Sequence, residues 1–342
     1  MDIGKGLAGK ARGGVACGDD TDESHTAPNL GKSLRIVRLL RFKGKKPVFL
    51  QPCNMRRLPV YYPIAIPALC IALLLVFASG KTAPENEGNA KPVVDQMLET
   101  IDGIKNLRYN LKISERINGK MVNMESFVKL QTSPRKLYLY LKGPEVLWIE
   151  GQNNGNALVN PNAFPYVNLN LDPYGSIMRK DQHHTIHEMG FSYLKDVLGA
   201  MVVKAGDKFD KYFSYTGDDK FNNRACQKLF IAYPEFAYVP YTVKKGENLV
   251  SIARRMKVSE YMILEKNKLS DYFSVKEGQV IQVPTAYAKT VLLYIDKQLH
   301  LPVSIKIFDD KGLFESYDYY SLIVNTKIPD EEFSKDYKDY KF

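Results

Sequence analysis

"HHTIHE", residues 183–188, is the stretch in which metal-ligating side chains cluster. His183 and His187 stand four apart, a spacing that puts two imidazoles on one helix face, and Glu188 follows directly. The order is not the HExxH of zinc hydrolases, and no later Asp or His completes a ligand set at a recognisable spacing. The stretch therefore reads as a polar turn leading into a helix. Cys226, in "RACQKLF", could serve as a nucleophile only as a thiolate. Its strand-like neighbourhood instead suits a small buried apolar residue. Asp218-Asp219 and Asp309-Asp310 fall at hairpins, where Asp favours turn geometry. Phosphate-cradling glycine loops and nucleophile elbows are absent. The residues thus predict no catalytic group, no metal and no cofactor, and a binding role in place of an enzymatic one.

The elements that carry these residues alternate between two periods. Val94, Met97, Leu98, Ile101 and Ile104 recur at helical spacing and predict an amphipathic helix over roughly 93–105. From Leu107 the period becomes two: Leu107, Tyr109, Leu111 and Ile113 alternate with polar residues, and Asn118-Gly119 offers a hairpin turn. Strand patterns follow at 121–132, 135–142, 145–151, 156–160 and 165–171, then a helix at 190–206 ending at Gly206. Strands resume at 209–217, 225–233, 289–296, 302–310 and 313–325, with Asp310-Lys311-Gly312 as the last hairpin turn. Tyr109, Tyr138, Tyr140, Phe213, Tyr215, Phe230, Tyr317 and Tyr319 stud these strands, enough aromatic surface to line an apolar cavity.

Residues 241–284 interrupt the strand pattern. "YTVKK" alternates, Gly246-Glu247-Asn248 turns into a helix capped by Asn248, and Leu249, Ile252, Ala253 and Met256 form its buried stripe. Met262, Ile263, Leu264 and Leu269 mark a second helix, and "QVIQVP" (279–284) closes as the paired strand. On "YTVKKGENLVSIARRMKVS", "ILEKNKL" and "VKEGQVIQVP" the stretch resembles a LysM domain, the module that binds N-acetylglucosamine glycans such as peptidoglycan and chitin. The resemblance implies a groove formed by Gly246, Glu247, Asn248 and Leu249 on one side and Asn267, Lys268, Leu269 and Ser270 on the other. Glu247-Asn248-Leu249 stands where that family usually has acidic-Thr-Leu, and "SDYFSVKEG" is a longer second loop. A LysM fold used as a protein-contact module is the alternative.

The C-terminal run "LPVSIKIFDDKGLFESYDYYSLIVNTKIPDEEF" resembles the LolA/LolB-like families of periplasmic lipoprotein carriers. Residues 93–342, including "HEMGFSYL" and "YAKTVLLYID", are similar to the bacterial domain-of-unknown-function family numbered 1571. These resemblances imply a mainly antiparallel β fold with a few helices (α+β). Its form would be an open half-barrel over 93–240 and 285–342 that shelters acyl chains, with the β-α-α-β LysM module inserted.

Charge and hydropathy place the protein. The formal charge of +10 is concentrated in residues 1–57, which hold 12 Lys/Arg against 5 Asp/Glu. The remainder, at net +3, lacks a phosphate-tracking surface, and no nucleic acid is expected. "LPVYYPIAIPALCIALLLVFASG" (58–80) is uncharged, follows Arg56-Arg57 and ends in small residues, the pattern of an export signal. It is long enough to be retained as a membrane anchor instead, although Pro59, Pro63 and Pro67 weaken its first half as a helix. Met55 could start that leader, which makes 1–54 an upstream extension without a core, 55–80 the signal or anchor, and 81–92 a polar linker. Cys17, Cys53 and Cys70 precede the body and leave Cys226 without a disulfide partner in it. The expectation is a periplasmic or envelope binding protein for a lipid or acylated protein, docked on peptidoglycan. Its rivals are a LysM-targeted wall hydrolase and an inner-membrane-anchored structural link to the wall.

Overall fold

The computed structural model describes residues 88–342. The extension over 1–54, the leader over 55–80 and the first part of the linker lie outside the described residues. Helix α1 (Lys91–Asp102) opens with Pro at its first turn and buries Val94, Met97 and Ile101. A meander of six strands follows: β1 (Asn106–Ile117), β2 (Lys120–Thr132), β3 (Arg135–Tyr140), β4 (Glu145–Ile149), β5 (Ala157–Asn160) and β6 (Leu169–Leu171). Asn118 and Gly119 both take positive φ between β1 and β2, as a two-residue hairpin requires. The strand expected over 165–171 shortens to three residues, because Tyr166 takes a positive φ that breaks the extended run.

A connector then crosses over with α2 (Ser192–Ala205) and the short α3 (Phe209–Tyr212). The strand expected over 209–217 starts only at Phe213. Phe209, Tyr212 and Phe213 are all buried, and their i, i+3, i+4 spacing makes the first four residues a helical turn. A second meander runs through β7 (Phe213–Phe221), β8 (Arg224–Ala232), the insert β9 (Tyr238–Thr242), α4 (Leu249–Met256), α5 (Glu260–Lys266) and β10 (Val280–Pro284), and then β11 (Thr290–Asp296), β12 (Pro302–Asp309) and β13 (Gly312–Val324).

The two meanders form one eleven-stranded antiparallel sheet in the order β6-β5-β4-β3-β2-β1-β13-β12-β11-β8-β7. Their seam is β1 against β13, the first strand of one meander paired with the last of the other. The edges β6 and β7 do not pair with each other, so the sheet stays open, mainly antiparallel with a few helices, as expected. One face buries Leu107, Tyr109, Leu111, Ile113, Leu293 and Ile305 in a common core with α1 and α2. On the opposite face Ile328 and Phe333, with Tyr340 and Phe342 beside them, pack on Tyr138 and Leu147, and the Tyr138 and Tyr340 rings stack at 3.7 Å. Among the described residues no helix is long and apolar enough to cross a membrane.

The insert has its own small core of Val243, Leu249, Ile252, Ala253, Val258, Ile263, Val275, Ile281 and Val283. Its ends lie together, since β9 and β10 pair from Tyr238↔Pro284 to Thr242↔Val280. It fills the connection between β8 and β11, which are neighbours in the large sheet.

Candidate functional site

Alternation along β1 puts Leu111, Ile113 and Glu115 on one face, and along β13 it does the same for Glu315, Tyr317 and Tyr319. Glu115 and Glu315 are direct cross-strand partners at the seam, 2% and 0% exposed. The connector lays His183 and His184 over them. The His183 backbone N–H donates to Glu115 Oε2 at 2.7 Å. Its ring Nδ1 lies 2.8 Å from Glu315 Oε2 and its Nε2 3.1 Å from the Arg116 carbonyl oxygen. A carboxylate and a carbonyl only accept, so both bonds form together when both ring nitrogens carry hydrogen. Tyr287 donates to Glu315 Oε1 at 2.8 Å, and the Tyr317 hydroxyl sits 2.6 Å from Glu115 Oε1 and 3.0 Å from Glu315 Oε2.

His184 closes the group, its Nε2 3.3 Å from Glu315 Oε2 and 3.1 Å from the Tyr287 hydroxyl. Burial works against a charged His184 ring. The charge and hydrogen bond of Glu315, with the charges of Glu115 and Glu188, outweigh that and raise its pKa to about 9. For Glu315, burial favours the neutral acid, but the charge of His184 and the hydrogen bonds from both histidines hold the carboxyl well below the usual range. Burial first, then the adjacent carboxylates, push the Tyr287 and Tyr317 phenols up.

The spacing of four does not bring His183 and His187 together. Residues 186–188 form one 3-10 turn, with Thr185 and Glu188 capping each other, so the two histidines share no helix face. The His187 ring instead meets Trp148 edge-on at 4.9 Å and stacks on Tyr174 at 5.1 Å. The partners of His183 come from 68 and 132 residues away. Cys226 is fully buried on β8, and burial pushes its thiol pKa up, which suits the packing role expected of it.

Beside the cluster lies a cavity of about 100 Å3. The aliphatic side chains of Leu111, Ile113, Leu293, Ile305 and Ile307 from the sheet and Leu194, Val197, Leu198 and Met201 from α2 line most of it. Glu115, Glu315, His184, Tyr287 and Tyr317 form its polar end. The site is a largely apolar pocket with one charged wall.

The residues expected to form a glycan groove divide by role. Leu249 is buried in the insert's core, and Asn248 caps α4 through Ser251. The Glu247 carboxylate accepts from the Tyr241 hydroxyl at 2.6 Å, the Lys244 N–H at 2.9 Å and Arg255 at 2.9 Å. Asn267 bonds the backbone of Ile263 and of Gln282. Leu269 packs half-buried against the same core. Gly246, Lys268 and Ser270 are exposed. The two turns are tied together where the Leu249 N–H donates to the Tyr272 carbonyl at 2.9 Å. Phe273, half exposed at 51% on the second turn, was not among the expected groove residues.

The insert is also docked on the sheet domain. Tyr261 and Met262 of α5 join the main core. The His183 ring lies between Tyr261 at 4.3 Å and Phe314 at 4.2 Å, and the Tyr261 hydroxyl accepts from the Asn118 N–H at 2.9 Å. The Arg179 guanidinium covers the Tyr272 ring at 3.5 Å and pairs with Glu260, while Arg254 reaches Glu188 at 3.2 Å.

Residues 104–244 match the family described as protein of unknown function (DUF1571), and residues 241–284 match the LysM domain. No curated protein matches the chain. Three solved structures with similar stretches are those of a DUF1329 family protein from Desulfovibrio piger, the MucA/MucB complex of Pseudomonas aeruginosa and a LolA superfamily protein from Nitrosomonas europaea. The first is 12% identical at a TM-score of 0.29, covering 72% of this chain and 97% of that one. The second is 10% identical at 0.35, covering 72% of this chain, and this chain spans 61% of its length. The third is 10% identical at 0.28, covering 73% and 99%. The chain thus matches the DUF1571 family over 104–244 and, in the connection between two neighbouring strands of its sheet, the LysM domain over 241–284.

Proposed function

We propose that this is a non-enzymatic envelope protein that takes a small apolar ligand between its sheet and α2 and is held at peptidoglycan by its LysM domain. The observation that carries the reading is the pairing of the two features: a LysM domain packed into the core of a domain that has a largely aliphatic cavity. The leader pattern in 55–80 supports export to the periplasm. Size bounds the ligand. An apolar cavity of about 150 Å3 takes a benzene-sized guest, and this one is about 100 Å3. It accommodates a short aliphatic segment as it stands, and a ring or an acyl chain requires α2 to move off the sheet. The three methionines nearby, Met124, Met189 and Met201, are side chains that adapt to such a change.

Co-sedimentation of the purified protein with peptidoglycan sacculi tests the wall address. Pelleting is expected, and it should fall several-fold in Phe273→Ala and in Lys268→Glu/Ser270→Trp, all at exposed positions of the groove turns. Equal recovery of all forms in the supernatant removes the glycan role and leaves the LysM domain as a protein contact.

A further inference from the structure

Two acidic side chains directly opposite each other in a sheet repel, and burying both is costly. At the seam each carboxylate oxygen has a donor beside it, but the Tyr317 hydroxyl is shared between the two side chains. Tyr317 has a single phenolic hydrogen, yet its oxygen is 2.6 Å from Glu115 Oε1 and 3.0 Å from Glu315 Oε2. Its hydrogen serves one of the two contacts, and a cation beside the carboxylates would relieve their mutual repulsion. A place for one exists. The nearest donor atoms of Glu115, His184 and Glu315 all lie within 4.8 Å of one another. His184 Nε2 and Glu315 Oε2 are 3.3 Å apart, near the roughly 3.4 Å that separates two ligands on a tetrahedral ion with bonds of about 2.1 Å.

We propose that Glu115, His184 and Glu315 bind a divalent metal ion of the zinc class, with its fourth position facing the apolar cavity. One imidazole and two carboxylates form a ligand set that zinc accepts, and three protein ligands leave that position open. The outer contacts are already built. The His183 N–H holds Glu115 Oε2 and the Tyr317 hydroxyl meets its Oε1, while the His183 ring and the Tyr287 hydroxyl fix Glu315. Glu115 closes the set by a modest inward rotation. The ion joins the inner strands of both meanders and the connector between them, so it clamps the seam.

Purified, untagged protein is dialysed against a chelator and titrated with Zn2+ by calorimetry and with Co2+ by visible absorption. One equivalent is expected to bind, to give the intense bands of low-symmetry Co2+, and to raise the thermal midpoint. Glu115→Gln removes a like charge and so keeps the fold, which circular dichroism checks. It and His184→Ala should each weaken binding at least a hundredfold, while His187→Ala leaves it unchanged. Absence of stoichiometric binding by the unaltered protein overturns the site, whatever the variants do. So does binding that survives Glu115→Gln and His184→Ala or is lost in His187→Ala.

Discussion

Glu115 and Glu315 occupy inward positions that strand alternation reserves for apolar side chains. Leu107, Tyr109, Leu111 and Ile113 set the phase of β1, and Glu115 is the next residue in that phase. An acidic residue in step with a buried alternation is a signal that sequence can supply, whereas histidine spacing within one segment does not reveal it. The pairing of the two glutamates depends on which strands lie side by side, and local pattern does not encode that. A pH dependence follows for the metal-free protein. His184 is faced by Glu315, Glu115, Glu188, Tyr193, Tyr287 and Tyr317, and its pKa rises from 6.5 to about 9. A raised histidine stabilises fully below its unfolded value and loses that contribution as pH climbs through its folded value. Stability worth on the order of 3 kcal/mol should therefore be present below about pH 6.5 and gone above about pH 9. Glu315, held low, sets the opposite limit, with its contribution lost as pH falls from about 4.5. Urea unfolding across pH checks both, and His184→Ala should remove the alkaline step and weaken the acid one, because His184 helps to hold Glu315 low.

At the scale of elements, the helices and hairpins were largely legible. The Asn248 cap, the Asn118-Gly119 turn and the two insert helices all rest on local chemistry, and local chemistry is written in adjacent residues. What sequence could not show is how α5 is used. Its pattern is that of a small self-contained module, yet Tyr261 and Met262 turn outward into the core of the larger domain. The LysM domain is therefore built into the fold, and the two should unfold as one cooperative unit. Calorimetry is expected to give a single transition, and two resolved peaks would contradict the docking. Tyr261→Ala removes a ring packed on His183 together with the acceptor for the Asn118 N–H, and should cost about 3–5 kcal/mol. Tyr261→Phe loses the hydrogen bond alone and should cost about 1 kcal/mol.

For the whole molecule, the open antiparallel sheet was legible from the long run of alternating strands, whereas the strand order required the structure. The cavity is likewise a property of assembly, since its walls come from both meanders and from α2. Filling it separates ligand binding from stability. Val197→Phe, at a buried position lining the cavity, should abolish uptake of a fluorescent apolar probe while shifting stability by no more than about 1–3 kcal/mol. Retained uptake would move the ligand elsewhere. The seam also has a consequence in time. β1 is among the first strands to be made and β13 is the last, with Leu107 finding its partner in Val324. As the chain emerges, the first meander assembles early and waits with one long edge unpaired, the state most open to pairing with a neighbouring chain. The hazard ends only when the final strand arrives. A chain of this order is best kept unfolded, or held by a chaperone, until its whole length is available.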